Sequence, residues 1–389
     1  MARSRPYVPA QPTLGWAQLR ASHRPLAAYP FSADAVCWTH LFRGALFLAA
    51  RVLGLEGREV LVPAYHHGLE VDALLAGGAC PAFYAVGTRW TVDAEEVERR
   101  IGPRTGGILL SHFGGFPGPG SSLRALADRR GLVVIEDCSQ ALLSCDCDGE
   151  VPLGTTGDAA VFSLAATLPV PHGGALVFNG RREFRLPQLR KPAAGPTLRS
   201  LAARLLGRGE LRLPDQARAR RRLGRWISHR FVRAQEPEKA LRQPGNEVLE
   251  LGVSPLVQRI ARAHDLAGVV ERRRRNFFHL LGALRGVAPP MVNELPPGVC
   301  PLFYPLWVGD KDEALTRLRA ENVEAGEGWP EFHPRCDGTG FPEATRLRQH
   351  LVELPCHQDL GPAHVAHLAR VALRAVSHDR MRRSRAAGG

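Results

Sequence analysis

The sequence contains almost no lysine. Lysine occurs only at Lys191, Lys239 and Lys311, although the chain has 51 basic against 38 acidic residues, so arginine supplies nearly all of the positive charge. Any mechanism that needs a lysine amine therefore has three candidates. Arginine cannot take over that role, because its pKa above about 12 keeps the guanidinium protonated and poorly nucleophilic.

Long apolar runs and paired cysteines are also missing. No stretch approaches the roughly 18 uninterrupted apolar residues of a membrane span, and residues 1–24 lack an apolar segment of signal-peptide length. The eight cysteines show no CxxC spacing, which argues against a structural zinc site and favours reduced thiols. We therefore expect a cytoplasmic protein that does not cross a bilayer.

Strand and helix patterns alternate over 35–178. Short apolar runs such as 59–63 and 131–137 stand between amphipathic segments, and runs of this kind indicate strands buried on both faces of a mainly parallel sheet. After 181 the sequence becomes rich in arginine, as in 218–225, which predicts helices. The pattern predicts an α/β fold.

The changes in pattern predict four parts. We expect an N-terminal arm over 1–30, a large domain over 31–250 with a helical insertion at about 181–250, a small α+β domain over 251–378 and a disordered basic tail over 379–389. In the small domain, a single long helix is predicted from Val253 to about Leu284. A basic terminus without a partner is usually poorly ordered.

Six short motifs occur in a fixed order along the chain. They lie at 60–65, 78–81, 101–105, 111–114, 135–141 and 153–163. In this order and spacing they resemble the DegT/DnrJ/StrS family of pyridoxal-phosphate-dependent sugar aminotransferases. The resemblance continues through 341–344 and 354–357, and it implies the type I aminotransferase fold. That fold has a large domain around a mainly parallel seven-stranded sheet and a smaller C-terminal α+β domain. The resemblance also implies a homodimer with the site at the subunit interface.

The resemblance implies a cofactor site at the ends of the strands. It assigns Asp137 to the ring nitrogen of pyridoxal phosphate, Gln140 to the ring hydroxyl, His67 to stacking on the ring and Ser163 to the phosphate. A carboxylate beside the ring nitrogen keeps that nitrogen protonated, which the electron-sink chemistry requires. Two plainer alternatives stay open, because Asp137 can cap the following helix and His67 can be an exposed loop histidine.

The other half of the phosphate cradle departs from the family pattern. The family has Ser-Gly-Thr at a helix start, where backbone N–H groups bind phosphate, and this chain has Leu41, Phe42 and Arg43, followed by Gly44. Arg43 offers a guanidinium, which is a good phosphate ligand. We therefore expect Arg43 and Gly44 to complete the cofactor site.

The sharpest departure concerns the Schiff-base lysine. An ungapped register from Ser163 places Leu168 at that position, and a variant register places Ala166 there. The lysine holds the cofactor and shuttles a proton, so transamination through an internal aldimine is not expected.

Three interpretations remain open. The cofactor binds without a covalent bond, as pyridoxal or pyridoxamine phosphate, with His172 as the base of a sugar 3-dehydratase. Alternatively, the chain is an inactive homologue, retained as a partner subunit or binding module in sugar, polysaccharide or natural-product biosynthesis. In the third, it is a biosynthetic enzyme with altered chemistry, or an active sugar aminotransferase whose site is completed by Lys191 or by a partner chain.

Metal and nucleic acid are weaker alternatives. The cysteine and histidine spacing around His66, His67, His112, Cys145 and Cys147 matches no common zinc pattern, so no metal is expected. The arginine runs at 218–222 and 272–275 lack interleaved aromatic residues, which favours solvated helix faces over a nucleic-acid surface. Positive charge also suits a phosphorylated substrate such as a nucleotide sugar.

Overall fold

A computed structural model describes residues 5–20, 28–180, 188–212, 246–287 and 291–387. Seven strands form one sheet, in the spatial order β1-β7-β6-β5-β4-β2-β3. The strands are β1 (Cys37–Thr39), β2 (Glu59–Pro63), β3 (Cys80–Tyr84), β4 (Thr105–Ser111), β5 (Val133–Cys138), β6 (Ala159–Ser163) and β7 (Gly174–Phe178). Only β7 runs antiparallel to its neighbours, so the sheet is mainly parallel, as the resemblance implied.

Helices cover both faces of this sheet. The helices of this region are α1 (Trp16–Arg20), α2 (Phe42–Val52), α3 (Leu69–Ala76), α4 (Ala94–Arg99), α5 (Gly120–Arg130), α6 (Leu164–Thr167), α7 (Ala194–Arg212) and α8 (Asn246–Leu249). Successive side chains of a strand point to opposite faces. Val60 and Val62 accordingly pack in one apolar cluster, with Leu46 of α2, and Leu61 packs in the other. This double burial explains the continuous apolar run of β2.

The small domain begins with a helix that was predicted as part of a longer one. The predicted helix from Val253 to Leu284 is two helices, α9 (Pro255–Arg262) and α10 (Leu266–Leu284). The break occurs because the Asp265 side chain accepts a hydrogen bond from the Gly268 N–H, which caps α10. Val257 and Ile260 of α9 pack with the β6 residue Phe162, so α9 belongs to the large domain.

The small domain itself is α+β. Its further elements are β8 (Phe303–Trp307), α11 (Lys311–Ala320), α12 (Pro342–His350), β9 (Leu351–Pro355) and α13 (Pro362–Ala387). β8 and β9 pair antiparallel. Leu280 of α10, Leu306 of β8, Val352 of β9 and Leu368 of α13 share one buried cluster. This cluster supplies the small domain with its own core.

The C-terminal tail and the segment 181–250 are the less regular parts of the chain. The tail predicted to be disordered over 379–389 is helical as far as Ala387, because α13 meets no glycine or proline after Pro362 to end it. The helical layer predicted over 181–250 is described at α7 and α8, but its arginine-rich segment at 218–225 lies outside the described residues. None of the helices in the described parts is both long and apolar enough to span a membrane.

Candidate functional site

Asp137 lies at the carboxyl end of β5, where the resemblance places the ring-nitrogen carboxylate. Its Oδ1 accepts a hydrogen bond from the Ser139 N–H at 2.9 Å, and its Oδ2 accepts one from the Ser111 hydroxyl at 3.4 Å. Ser111 ends the neighbouring strand β4 in register with Asp137. The side chain therefore caps the turn after β5 and not a helix, and the residue is only 4% exposed.

A second buried carboxyl group acts on Asp137. Burial, together with the negative charge of Glu70, raises the pKa of Asp137 to about 7. Glu70 lies in the first turn of α3, accepts a hydrogen bond from the Gly68 N–H at 3.0 Å, and has its own pKa raised by burial. At pH 7 a carboxyl group with a pKa near 7 is protonated in about half of the molecules. In the chain without a ligand, the carboxyl group of Asp137 is therefore easily protonated.

Gln140 holds the loop that follows β4. Its Oε1 accepts a hydrogen bond from the Gly114 N–H at 2.7 Å. Gly114 has φ +61°, and a Cβ there would lie 3.1 Å from the Trp90 ring, so this turn suits only glycine. The amide oxygen of Gln140 is used in this contact within the chain.

The two consecutive histidines after β2 have different environments. His67 is exposed, and its ring centroid lies 6.2 Å from that of Trp329, edge to face. His66 is buried, its Nδ1–H donates to the Pro63 carbonyl at 2.9 Å, and its ring stacks on Phe83. Burial lowers the pKa of His66 to about 3. His66 is therefore a neutral, structural histidine, whereas His67 remains accessible to a ligand.

The phosphate position combines a half-buried serine with a buried arginine. Ser163 ends β6 and precedes α6 without a side-chain capping hydrogen bond. Arg43 is buried in the first turn of α2, where burial lowers the pKa of its guanidinium and the charge of Asp72 opposes that shift. Gly44 has a packing explanation, because a Cβ there would lie 2.6 Å from the Leu249 carbonyl oxygen of α8.

Leu168, at the position that the ungapped register gives to the Schiff-base lysine, points into the core. It is 0% exposed and belongs to an apolar cluster with Leu14, Phe162 and Leu164. Ala166, the position in the alternative register, is half-buried in α6. Neither position places a side chain with an amine in the site.

Side chains of the small domain donate hydrogen bonds to the segment that carries Leu168. The carbonyl oxygen of Thr167 accepts hydrogen bonds from Arg273 Nη2 at 2.9 Å and Gln358 Nε2 at 3.1 Å. Arg273 also donates to Gln358 Oε1 and to the carbonyl oxygens of Pro301 and Leu302. Arg273 is 1% exposed, so the prediction that the arginines of 272–275 form a solvated face is wrong at this residue.

His172 pairs with a histidine that the sequence analysis did not select. Its ring centroid lies 3.9 Å from that of His40, and its Nε2 hydrogen-bonds the Thr197 hydroxyl at 3.0 Å. Burial, together with His40, lowers the pKa of His172 to about 3. An imidazole with that pKa is a weak proton acceptor at neutral pH, so the environment does not favour His172 as a general base.

A buried hydrogen-bond network lies on the face of β5 opposite to Asp137. It was not predicted from the sequence. His112 Nε2–H donates to Glu136 Oε2 at 2.9 Å, while His112 Nδ1 accepts from the Gly118 N–H at 2.9 Å. Glu136 Oε1 accepts from the amides of Thr156 and Gly157. Burial alone raises the pKa of Glu136, but the hydrogen bonds from His112 and the amides bring it below its usual value. With Cys138, these two residues offer three donor atoms within 4.8 Å, but this network already uses the imidazole nitrogens and carboxylate oxygens.

The lysines lie in other surroundings. Lys311 is buried at the start of α11, and its Nζ donates to the Arg348 carbonyl oxygen at 2.5 Å. Lys191 is exposed in the loop before α7, and Lys239 lies outside the described residues. Within the described chain, neither lysine belongs to the segment that follows β6.

Residues 42–187 match the family model described as the DegT/DnrJ/EryC1/StrS aminotransferase family. This segment of the large domain is similar to that family. GDP-perosamine synthase from Vibrio cholerae is 35% identical over 139 residues, which are 35% of this chain and only 37% of that protein. The dTDP-4-dehydro-2,3,6-trideoxy-D-glucose 4-aminotransferase from Saccharopolyspora spinosa is 28% identical over 87% of this chain and 84% of its own length.

The solved structures extend the likeness to the whole fold. The aminotransferase TlmJ from Streptoalloteichus hindustanus has a TM-score of 0.65 and 22% identity, and the match covers 95% of this chain and 99% of that one. The prediction of the type I aminotransferase fold is confirmed. At this level of identity the structural likeness concerns the fold alone.

Proposed function

We propose that this chain is a family member that does not transaminate through an internal aldimine and serves as a catalytically silent subunit or binding module. The observation that carries the proposal is Leu168, whose fully buried alkyl side chain stands at the position that the ungapped register gives to the family's lysine. An internal aldimine needs a primary amine at the cofactor. Lys311 is committed to the Arg348 carbonyl, and Lys191 is exposed, which supports the same conclusion.

The residues of the site fit bound pyridoxal phosphate poorly. A pyridine ring beside Asp137 has to reach a carboxylate that is only 4% exposed and already accepts hydrogen bonds from Ser139 and Ser111. Arg43 is buried where a small residue contacts the phosphate in the family. Non-covalent binding of pyridoxal or pyridoxamine phosphate stays the alternative, supported by the exposure of His67 and by Ser163 at the end of β6.

We propose a nucleotide-linked sugar as the ligand of such a module. The relatives above are a GDP-sugar synthase and a dTDP-sugar aminotransferase by name, and the net charge of +13 favours a phosphorylated ligand. We also propose a homodimer. In support, Trp16 of α1 and Leu206 of α7 are both 65% exposed, and large apolar side chains exposed to this extent suit a protein contact.

The experiment is a visible spectrum of the purified chain with one equivalent of pyridoxal phosphate, before and after borohydride. We expect no band near about 410–430 nm and no adduct on any lysine by mass spectrometry. The Lys191→Arg variant controls for random reaction with the exposed amine. A stoichiometric adduct on one lysine, absent from the matching Arg variant, would overturn the proposal.

Calorimetry with pyridoxamine phosphate separates the silent protein from the non-covalent user. A silent protein shows no heat of binding. Saturable binding that is lost in Asp137→Ala would favour the non-covalent alternative, because that substitution removes the side chain assigned to the ring nitrogen.

A further inference from the structure

A cavity of about 750 Å³ lies in the small domain, between α10, α13 and the N-terminal residues Arg5 and Pro6. Small apolar side chains line it, namely Ala283 of α10 and Ala363, Ala366 and Ala369 of α13. Cavities of about 300–1,000 Å³ are the usual size for small-ligand sites. Its residues are not those of the cofactor site described above, so it is a separate place on the molecule.

The charge of this cavity is positive. Arg5, Arg370 and Arg374 line it together with one carboxylate, Glu321. Glu321 Oε2 is paired with Arg5 Nη1 at 2.7 Å, and no ion pair within the described chain neutralises Arg370 or Arg374. Both of these arginines are exposed. Two guanidinium groups are therefore available to an anion at the solvent side of the cavity.

The apolar and cationic residues occupy successive parts of one helix face. Ala363, Ala366, Arg370 and Arg374 follow the spacing i, i+3, i+7 and i+11, which keeps them on one side of α13. At 1.5 Å per residue, this face is about 16 Å long. The cavity thus has an apolar end, where alanine side chains leave room, and a cationic end.

We propose that this cavity binds a phosphorylated amphiphile, a single alkyl or prenyl chain that ends in a phosphate. The chain lies on the floor formed by Ala283, Ala363 and Ala366, and the phosphate pairs with Arg370 and Arg374. Arg–phosphate pairs are strong because the planar fork offers parallel N–H donors. Apolar burial of the chain and charge at one end together select this class over a free anion or a neutral lipid.

Isothermal titration calorimetry of the full chain tests the proposal, with dodecyl phosphate as the probe, kept below its critical micelle concentration. Dodecylphosphocholine presents the same chain with a neutralised head, and inorganic phosphate presents the head alone. We expect saturable one-to-one binding of dodecyl phosphate, at least about tenfold tighter than either comparison ligand. An affinity for dodecyl phosphate no tighter than that for either comparison ligand would overturn the proposal.

Two independent variants locate the site. Ala366→Trp fills the apolar end, and the double variant Arg370→Glu with Arg374→Glu reverses the charge at the other end. Each is expected to weaken binding by about tenfold or more. The control is Arg319→Glu with Arg346→Glu, which changes two exposed arginines outside the cavity and alters the net charge by the same amount. It should stay within about twofold of the unmodified chain.

Three results would contradict the proposal. The first is a control variant that loses as much affinity as the cavity variant, since binding would then depend on net charge alone. The second is unchanged binding by a correctly folded Ala366→Trp variant, checked by its thermal melting curve. The third is a change of oligomeric state in Ala366→Trp by sedimentation velocity, because a second copy of the chain would then cover the cavity.

Discussion

Leu168→Lys restores the amine at the family position and therefore tests the site directly. If the side chain at 168 faces a cofactor pocket, the lysine reacts with pyridoxal phosphate. If it faces the core, as the structure shows, the amine is buried among apolar side chains. The two geometries predict opposite outcomes for both stability and spectrum.

The expected loss of stability follows from the burial of Leu168. Truncating a fully buried leucine to alanine costs about 3–5 kcal/mol, and lysine also brings an amine that the apolar cluster cannot solvate. We therefore expect Leu168→Lys to lower the free energy of unfolding by about 3 kcal/mol or more at pH 7. Leu168→Met is the matched control, because it has an unbranched apolar side chain and should cost less than about 1.5 kcal/mol.

The variant should also depend on pH in a direction that identifies a buried amine. Burial favours the neutral amine and lowers the pKa of the introduced lysine in the folded state below the value of about 10.4 in the unfolded chain. Between these two pKa values the unfolded state binds more protons, so the stability of the variant rises with pH. Urea denaturation at pH 7 and pH 9.5 measures this change against the methionine control.

The reasoning fails if Leu168→Lys is as stable as Leu168→Met. It also fails if the variant gains a band near about 410–430 nm with pyridoxal phosphate that borohydride traps on the introduced lysine. Either result would mean that residue 168 faces a cofactor pocket.

Three further predictions concern stability. Arg273→Met removes every hydrogen bond of the buried guanidinium and should lower the free energy of unfolding by about 3 kcal/mol, measured with urea; an unchanged midpoint would contradict the contact with Thr167. Gly44→Ala forces a Cβ against a carbonyl oxygen and should cost about 1–3 kcal/mol by the same assay, whereas a neutral effect would contradict the packing. Burial lowers the pKa of His66 and His172 to about 3, below the unfolded value of about 6.5. The stability that these two neutral imidazoles contribute is therefore fully present above pH 6.5, and it is lost as the pH falls below that value. The difference between the urea midpoints at pH 7.5 and pH 5 should be smaller in His172→Gln than in the unmodified chain. An equal difference in the two proteins would contradict this prediction.

The sheet could be predicted because most of its strands are short, continuous apolar runs in the sequence. Asp137 could be placed at the end of β5 since it follows such a run, and the alternation of side chains along a strand offers a signal for Glu136 on the opposite face. Arg273 carried no such signal. It stands within a run of four arginines, and its partner Thr167 lies 106 residues away, so only the packing of α10 reveals its burial.

The split of the predicted long helix has a local cause that could have been read. Asp265 followed three residues later by Gly268 is a helix start, because the aspartate oxygen accepts from the amide of the third residue on. The apolar pattern on both sides of this cap keeps helical spacing, and that continuity favoured one helix. The break matters for the site, because it lets α9 pack on the large domain while α10 carries Arg273 into contact with Thr167.

The side chains at three family positions pack or pair within this chain. Leu168 completes an apolar cluster, Asp137 accepts from the Ser139 amide, and Gln140 accepts from the Gly114 amide. In each case an interaction within the chain involves a position that the resemblance assigns to the cofactor site. Groups that are already paired and buried gain little when a ligand binds, because the existing contacts must first be broken. A site built in this way is stable without a cofactor, and this internal pairing supports a silent subunit better than the loss of the lysine alone would.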